Sequence, residues 1–425
     1  MRQRHPRGSS IDVHELDPKW DGIGSQPRSI TFGLLFLLYV IYAAFKPLDA
    51  SDDHPLFHIK RGVKYGCIFF LSFCATQLRD GHFLRPHPVI WRVVTGIFIL
   101  YEMILIVLLF QSGQGAPKMM QVLDSSLGVA LPSKSYGEDC RIFTPEDPYS
   151  YIRNVHDTAL DVFVPMHFFG WFIGALMIRD YIFCWFLSVF FEFYELSFAH
   201  WLPNFNECWW DHIFFDIFIC NALGIHLGMK MCRFFEMKKY NWVGITQIPN
   251  LRGKAHRAMQ QFTPMNWLPY DWEMFQSANR FWRVVFMFFS LSVMMLNSFF
   301  LKAVLWIPAE NILNVIRLLI WYSNGSYAVA EYYIFCASPP RSAGARKVGP
   351  RVWLALCVVV TEVMVIVKFN AGQFSAPFPA YVRWSWSIGV LLLVFGSTAY
   401  FWCIKSYKKK SSPRNQALKK STKVL

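Results

Sequence analysis

Charged residues are scarce in this sequence. Asp, Glu, Lys and Arg make up 16% of its 425 residues, whereas soluble domains contain about 25%. Hydrophobic residues make up 54%, which is more apolar surface than one soluble core can bury, so the excess must face lipid. A secretory signal peptide is not predicted either, because residues 1–28 are polar and no small-residue cleavage site follows the apolar run at 30–45.

Acidic residues are outnumbered by basic ones, 28 against 42, and the net charge is +14. Such an excess in a soluble protein would suggest nucleic-acid binding, but no RNA- or DNA-binding motif is present. The basic residues lie in alternate connections between hydrophobic runs and in residues 406–425. This distribution is typical of the positive-inside rule and of binding to an anionic membrane surface, so we expect a membrane partner and no nucleic acid.

Ten hydrophobic runs approach the roughly 20 residues that a helix needs to cross a bilayer. They lie at 30–45, 62–78, 89–111, 162–178, 181–201, 214–232, 281–304, 312–336, 352–369 and 381–404. The sequence therefore predicts an all-α fold, a polytopic membrane helix bundle of about ten transmembrane helices. An even number of spans, with basic residues in alternate loops, places both termini in the cytosol and the other loops in a lumen.

The remaining segments are assigned by composition. Residues 1–28 form a cytosolic N-terminal segment, 29–405 the transmembrane domain and 406–425 a basic, disordered cytosolic tail. Within the domain, 112–160 is a lumenal loop and 250–270 a cytosolic amphipathic segment, for which a plain solvated loop is the alternative. Cys140 and Cys208 fall in loops predicted to lie on the same side, which leaves a disulfide between them open.

Acidic side chains are concentrated at 161–216, within or beside the predicted spans. Ionisable groups at membrane depth are costly and are functional candidates by default. The predicted topology brings these groups near one face of the membrane, because each lies toward the lumenal end of a span or in a short lumenal connection. They are Asp161, Glu192, Glu195, Glu207, Asp211 and Asp216, together with His167 and Asn204.

Helical spacing groups some of these acids. Glu192 and Glu195 are three residues apart and share a helix face. Asn204, Glu207 and Asp211 would share a face if their connection is helical. Asp216 lies well off that face, so its position requires a helix break or a second role.

So many carboxylates cannot all remain ionised at low dielectric without a cation. Their oxygens, with the Asn204 amide, suit a hard divalent ion, and six or more oxygen ligands favour Ca²⁺ over Mg²⁺ or Mn²⁺. Zinc is disfavoured, because we find one histidine and no paired cysteines among the candidates. A histidine beside a cation site can supply the base or nucleophile of phosphoryl chemistry.

Two phosphate-handling motifs are missing, and their absence narrows the reaction. The chain has no G-x-x-x-x-G-K-[ST] phosphate loop and no D-G-x-x-A-R…G…D…D motif of the CDP-alcohol phosphotransferases. Without an activated nucleotide, the bond that is broken and the bond that is formed must have similar free energies of hydrolysis. Replacing one alcohol by another on a phosphodiester meets this condition. The alternative is a cation-coupled transporter whose ion pathway is lined by the same carboxylates.

Three sequence blocks resemble one enzyme family. They are the stretch at 166–237, from MHFFGW through LPNFNECWWDHIFFD to CRFFEM, then RPHPVIWR at 85–92 and HRAMQQFTP at 256–264. They resemble phosphatidylserine synthases of the eukaryotic base-exchange type, and plant members in particular. The resemblance covers residues 30–405 in span layout and is weak in the long lumenal loop and the tail.

The resemblance implies a multi-pass enzyme of the endoplasmic reticulum membrane or the nuclear envelope. Such an enzyme replaces the head group of phosphatidylethanolamine or phosphatidylcholine with L-serine and requires Ca²⁺. Whether it forms a homodimer stays open. We assign catalysis to His167 and Asp161, the cation to Glu192, Glu195, Glu207 and Asp211, and substrate binding to Asn204 and Asp216.

Two mechanisms remain open at this stage. In the first, His167 deprotonates the serine hydroxyl, which attacks the phosphodiester and expels the old head group. In the second, His167 attacks first and forms a phosphatidyl-histidine that serine then resolves.

A separate hypothesis concerns regulation at the cytosolic face. Arginine suits phosphate and carboxylate recognition, so basic residues there could bind an anionic lipid, including the product, as feedback. Ordinary positive-inside residues with a packing role are the alternative explanation. The candidates are Arg85, His87, Arg92, Arg257 and Gln261.

Overall fold

The computed structural model describes residues 27–46, 55–80, 87–113, 115–132, 135–147, 150–161, 163–236, 244–261, 270–337, 347–370 and 372–411. These residues form helices and connections without any strand, which confirms the predicted all-α class. The chain divides into two compact units, Met1–Leu100 and Tyr101–Leu425.

The first unit contains α1 (Pro27–Phe45), α2 (Pro55–Gln77) and most of α3 (Pro88–Leu109). All three helices begin at proline, which suits the first helical turn because its missing N–H would have no partner there. The buried Arg92 of α3 donates to the Ala75 carbonyl of α2 at 3.0 Å and pairs with Asp80 at 2.6 Å. The Arg92 side chain therefore ties α3 to the end of α2.

The second unit is built from helices joined mostly by short connections. They are α4 (Gly115–Met119), α5 (Arg153–Ala159), α6 (Phe163–Ile178), α7 (Tyr181–Phe198), α8 (Ala222–Glu236), α9 (Leu251–Gln261), α10 (Ala278–Val304), α11 (Ile312–Ala337), α12 (Pro350–Phe369), α13 (Ala380–Leu391) and α14 (Ser397–Ser411). A π-helix, Asp211–Asn221, leads directly into α8, and a π-helical turn, Leu392–Gly396, joins α13 to α14.

Six helical segments are long and apolar enough to cross a membrane. They are Pro88–Leu109, Tyr181–Phe198, Asp211–Phe234, Ala278–Val304, Pro350–Phe369 and Ala380–Tyr407. The pair α5 and α6, bent by 43°, would make a seventh. Helices also occupy the other predicted runs, but among the described residues they fall short in length or apolarity, so the count of about ten and the location of the termini stay predictions.

Two predicted segments can be compared with the helix boundaries. Helix α9 lies inside the predicted amphipathic segment 250–270, of which residues 262–269 lie outside the described part. Helix α14 runs through Ser411, so residues 406–411 of the predicted disordered tail are helical, and residues 412–425 lie outside the described part.

Helices α6 and α8 pack closely because α8 presents two glycines to α6. A Cβ atom on Gly224 would lie 2.5 Å from the Phe168 carbonyl oxygen, and one on Gly228 would lie 2.6 Å from that of Phe172. Small residues four apart are the pattern that lets membrane helices approach backbone to backbone. This contact holds the start of α6 against the π-helix that precedes α8.

A disulfide joins Cys140 to Cys208, with their Cα atoms 5.2 Å apart. The bond that the sequence left open is therefore formed in the structure. The Trp210 indole donates to the Cys140 carbonyl at 3.1 Å, and the Tyr136 amide donates to the Asn206 carbonyl at 3.1 Å. These contacts clamp the loop before α5 onto the short connection between α7 and the π-helix.

Candidate active site

Four elements bring ionisable side chains together at one end of the helices. His167 lies in the second turn of α6, and Glu192 and Glu195 lie toward the end of α7. Glu207 lies in the connection that follows, and Asp216 lies on the π-helix. These side chains form three overlapping groups, and within each group one ligand atom per residue lies within 4.8 Å of the others. The groups are His167 with Glu192 and Asp216, His212 with Glu192 and Glu195, and His212 with Glu207 and Asp216. We call these six residues the acidic cluster.

His212 lies at the centre of the acidic cluster. Its Nδ1 is 3.0 Å from a Glu192 oxygen, 3.5 Å from Glu195 and 3.7 Å from Glu207. The amide nitrogen of Asn221 donates to the other Glu192 oxygen at 3.3 Å and to Ser188 Oγ at 3.0 Å. The acids therefore share a second histidine, which corrects our reading of a single histidine and weakens the argument against zinc that rested on it.

The π-helix explains how His212, Asp216 and Asn221 come to lie on one face. Hydrogen bonding from residue i to i+5 widens the turn, so residues four or five apart fall on one face. His212, Asp216 and Asn221 have this spacing, and all three are buried. A regular α-helix would place Asp216 well off the face of Asp211 and would turn Asn221 away from His212. The wide π-helical turn is therefore the helix break that puts His212, Asp216 and Asn221 on one face. Such segments occur frequently at functional sites.

His167 and Asp216 form a histidine–carboxylate pair. The Nδ1 atom of His167 lies 3.3 Å from a carboxylate oxygen of Asp216. The His167 side chain also lines a cavity of about 380 Å³ between α6, α7, α10 and α11. The imidazole therefore stands between the acidic cluster and the cavity, with one nitrogen directed to a carboxylate that can set its tautomer.

The cluster has the donor set that a divalent cation needs. Burial raises the pKa of the Glu207 carboxyl well above its ordinary value, and the nearby Asp216 carboxylate adds to the shift. A Glu195 oxygen and the Asn221 amide oxygen are buried without a hydrogen-bond partner. Buried acceptors without donors are unusual, and a hard cation would satisfy them. The residues present therefore fit an oxygen-ligated divalent ion.

Three predicted site residues lie outside these groups. Asp211 opens the π-helix and interacts electrostatically with Asp216, but it belongs to none of the close groups among the described residues. Asn204 lies in a short 3₁₀ turn of the connection. Asp161 lies two residues before α6 and accepts from the Phe163 amide at 3.2 Å, a local side chain to backbone contact at the helix start. Their assigned roles stay predictions.

His212, Asn221 and Ser188 are site residues that sequence reasoning missed. The signal was partly visible, because His212 follows Asp211 directly in the segment WWDHIFFD. Ordinary helix periodicity places His212 and Asp216 one turn apart, yet Asn221 falls outside that face. Only the wider π-helical turn aligns all three.

The predicted regulatory residues receive less support from geometry. Arg85 and the side chain of Gln261 lie outside the described part of the chain. His87 is exposed and accepts from the Val89 amide at 3.2 Å, and Arg257 is partly buried on α9. Because Arg92 is engaged by Asp80 and Ala75, its role in α2–α3 packing is sufficient to explain it.

A membrane helix bundle with a buried histidine, carboxylates that could hold a divalent cation and an adjoining apolar cavity has the parts expected of a membrane enzyme that acts on lipids. Comparison with known proteins agrees with this class. The family model described as "Phosphatidyl serine synthase" matches residues 86–370.

Relatives match most of the chain. A rice protein named CDP-diacylglycerol–serine O-phosphatidyltransferase 2 is 40% identical over 386 residues, covering 90% of each chain. The Arabidopsis thaliana protein named CDP-diacylglycerol–serine O-phosphatidyltransferase 1 is 39% identical and covers 91% of each chain. Human phosphatidylserine synthase 2 is 38% identical, over 86% of this chain and 74% of its own length. The chain belongs to the phosphatidylserine synthase family and is a phosphatidyltransferase.

Proposed function

We propose that this protein makes phosphatidylserine by base exchange, in which L-serine replaces the ethanolamine or choline of a glycerophospholipid, with Ca²⁺ in the acidic cluster. The observation that carries the proposal is the position of His167. Its ring contacts Asp216 of the acidic cluster and also lines the apolar cavity, so a phosphodiester entering from the cavity meets the histidine and the acids together.

The histidine–carboxylate pair suits general base catalysis. With the Nδ1 proton donated to Asp216, the Nε2 atom of His167 is free to take the proton of the serine hydroxyl. The serine oxygen then forms a new bond to phosphorus, and the bond to the ethanolamine or choline oxygen breaks. His167 returns the proton to the leaving alcohol, while Asp216 stabilises the imidazolium between the two transfers.

Glu192, Glu195, Glu207 and Asp216 are the residues that would hold the cation. Their oxygens belong to the close groups of the acidic cluster. Once bound, Ca²⁺ would offset the negative charge that develops on the phosphate. Compared with the sequence-based assignment, Asp216 takes the place of Asp211, because Asp216 is within reach of both histidines.

The phosphatidyl-histidine route makes a different demand on His167. Its Nε2 would attack phosphorus, the old alcohol would leave, and serine would displace the histidine in a second step. We favour the general-base route because the Asp216 contact orients the ring for proton transfer without further groups. Labelled lipid trapped covalently on His167 after acid quenching, in the absence of serine, would instead support the two-step route.

A nucleotide-activated donor is the second candidate, because the plant relatives carry the name CDP-diacylglycerol–serine O-phosphatidyltransferase. That reaction would release CMP in place of an alcohol. The experiment is serine incorporation by the purified protein in detergent, with phosphatidylethanolamine, phosphatidylcholine or CDP-diacylglycerol as donor, each with and without EGTA. We expect incorporation and alcohol release from the two phospholipids, abolished by EGTA and restored by Ca²⁺. Incorporation from CDP-diacylglycerol alone would refute base exchange.

The topology belongs to the same proposal. We place the acidic cluster at the lumenal face of the endoplasmic reticulum membrane, with about ten spans and both termini in the cytosol, because basic residues lie in alternate loops. The disulfide supports this placement, since such bonds persist in an oxidising lumen. Cysteine-accessibility labelling at residue 130 and at residue 415 tests it, and labelling of both positions from the cytosolic side would contradict it.

A further inference from the structure

The part of the cavity beyond His167 has the length of one acyl chain in one leaflet. The α6 wall of the cavity begins at Phe163, and its part from His167 to Ile178 spans eleven residue steps, or roughly 16 Å at about 1.5 Å per residue. A single leaflet contributes half of a hydrocarbon core that is about 30 Å thick, or about 15 Å. The far end, at Ile178 and Leu187, is apolar, and His167 and Lys302 lie toward the other end.

The cavity wall includes side chains on the lipid-facing surface of the bundle. Phe169 of α6 and Leu319 of α11 both line the cavity, and they are 58% and 57% exposed. Large apolar side chains with this exposure are stable next to lipid tails. A chain still embedded in the bilayer could therefore enter sideways between α6 and α11.

Lys302 is a cationic side chain of this cavity that pairs with no anionic side chain among the described residues. Its partly buried ammonium lies 5.4 Å from the ring centre of Phe163 and 5.3 Å from that of Phe299, and it pairs with no carboxylate among the described residues. Glu310 and Glu207 act on it only at a distance. Removing an ammonium from water without a counter-ion is costly, so the position suits an anionic ligand.

Arg317 shows the contrast within the same cavity wall. Its guanidinium donates to Glu362 at 2.8 and 3.0 Å and also bonds to Ser298, so its charge is already balanced. Lys302 is free to bind a phosphate, whereas Arg317 is held by the protein.

We propose that this cavity holds an acyl chain of the donor glycerophospholipid and that Lys302 binds the donor's phosphate, which places the phosphodiester beside His167. This inference rests on the proposed function, since it names the groups that bind the lipid substrate. It assigns separate sites to the two substrates, with the lipid on the cavity side of His167 and serine on the side of the acidic cluster.

Removing the charge of Lys302 tests the phosphate contact. We expect Lys302→Met to raise the KM for the lipid donor about tenfold or more, as for loss of a charge-assisted hydrogen bond, without changing the KM for serine. Lys302→Arg should recover most of the loss. The matched control is Lys368→Met, which removes an exposed lysine near the end of α12 that lies outside the cavity. An unchanged lipid KM would overturn the assignment. A change in the Ca²⁺ requirement alone would also overturn it, because Lys302 would then act on the acidic cluster and not on the lipid phosphate.

Filling the cavity tests the acyl-chain site independently. Gly174 lines the cavity, and a Cβ atom at this position would have its nearest neighbour, a Trp171 atom, at 3.9 Å. Gly174→Leu therefore fills part of the cavity without a clash at the Cβ atom of the new side chain. We expect activity on long-chain donors to fall at least tenfold more than activity on short-chain donors of the same head group. The control is Gly389→Leu, which has open space and lies outside the cavity. Equal effects on both chain lengths would contradict the proposal.

A binding measurement separates this inference from the proposed reaction. Photoactivatable phosphatidylethanolamine, with the reactive group near the end of one acyl chain, should label residues of the cavity wall in the resting protein, and Gly174→Leu should suppress the labelling. Labelling there without serine exchange would refute base exchange but keep the lipid site. Exchange activity with labelling elsewhere would refute the lipid site alone.

Discussion

Two buried polar centres lie in the second unit, and they are built in opposite ways. Glu362 of α12 is fully buried, and its two oxygens accept from Tyr101 at 2.6 Å, Arg317 at 2.8 and 3.0 Å, Asn297 at 2.9 Å and Trp321 at 3.1 Å. Its charge is matched by one guanidinium, and both of its oxygens accept hydrogen bonds.

The acidic cluster gathers several carboxylates around two histidines and leaves buried acceptors without donors. A satisfied network joins helices and specifies their packing. An unsatisfied one stores unfavourable energy that a ligand can relieve, and perturbed groups of this kind concentrate at functional sites. We therefore assign stability to the Glu362 network and chemistry to the acidic cluster. The predictions below test that division.

The largest expected effect is the loss of the His167 imidazole. His167→Ala should lower serine incorporation by about 10²–10⁴-fold, the usual contribution of a positioned general base. The melting temperature should change little, because His167 is partly exposed and its one ion-pair contact among the described residues is to Asp216. His156→Ala, at an exposed histidine of α5, is the control. Near-normal exchange by His167→Ala would remove the histidine from both mechanisms.

Neutralising one acid in each centre should give opposite outcomes. Glu362→Gln leaves Arg317 buried without its counter-charge, so we expect a loss of about 3–5 kcal/mol in unfolding free energy. Activity per folded molecule should be kept. Glu195→Gln should abolish exchange without loss of stability, since it removes one charge from a crowded set. Thermal unfolding in detergent and specific activity measure both. Similar stability losses in the two variants would contradict the assignment of stability to the Glu362 network and of chemistry to the acidic cluster.

Cation binding should stabilise one centre only. At a Ca²⁺ concentration 100 times its Kd, the native state gains about 2.7 kcal/mol, which appears as a higher melting temperature. We expect this shift in the wild type and in Glu362→Gln, but not in Glu195→Gln. EGTA should reverse it. A shift of equal size in Glu195→Gln would place the ion elsewhere.

An equal response to Zn²⁺ at micromolar concentrations would show that the two histidines select the metal.

The smallest expected effect comes from the glycine contact that supports the acidic cluster. A Cβ on Gly228 would meet the Phe172 carbonyl oxygen and the Ala175 side chain at 2.6 and 2.7 Å. Gly228→Ala should therefore separate α6 from α8 and cost about 1–3 kcal/mol, with an accompanying fall in activity. Gly389→Ala, on open surface, is the comparison. Unchanged activity would mean that the π-helix keeps its position without this contact.

Helix existence was readable from sequence, but helix geometry was not. Apolar runs such as 89–111 and 281–304 became α3 and α10, because backbone groups in lipid must be paired within the segment. The spacing of Glu192 and Glu195 predicted that they share a face of α7, and in the structure both are buried. Asp216 resisted the same reasoning, since local periodicity does not distinguish an α-helix from a π-helix. The cavity and the place of Lys302 in it depend on the packing of one helix pair, α6 and α7, against a second pair, α10 and α11, that lies far along the sequence.

The amino-acid sequence by itself determined that this chain belongs in a membrane, that it is helical and that acids near 161–216 are costly enough to need a function. These properties follow from composition and local spacing, which act on each segment separately. The tertiary structure decided which acids meet His212, that Asp216 faces His167, and that an apolar cavity adjoins them. Distances of a few ångströms between side chains on different helices decide these contacts, and they depend on helix packing that no single segment encodes.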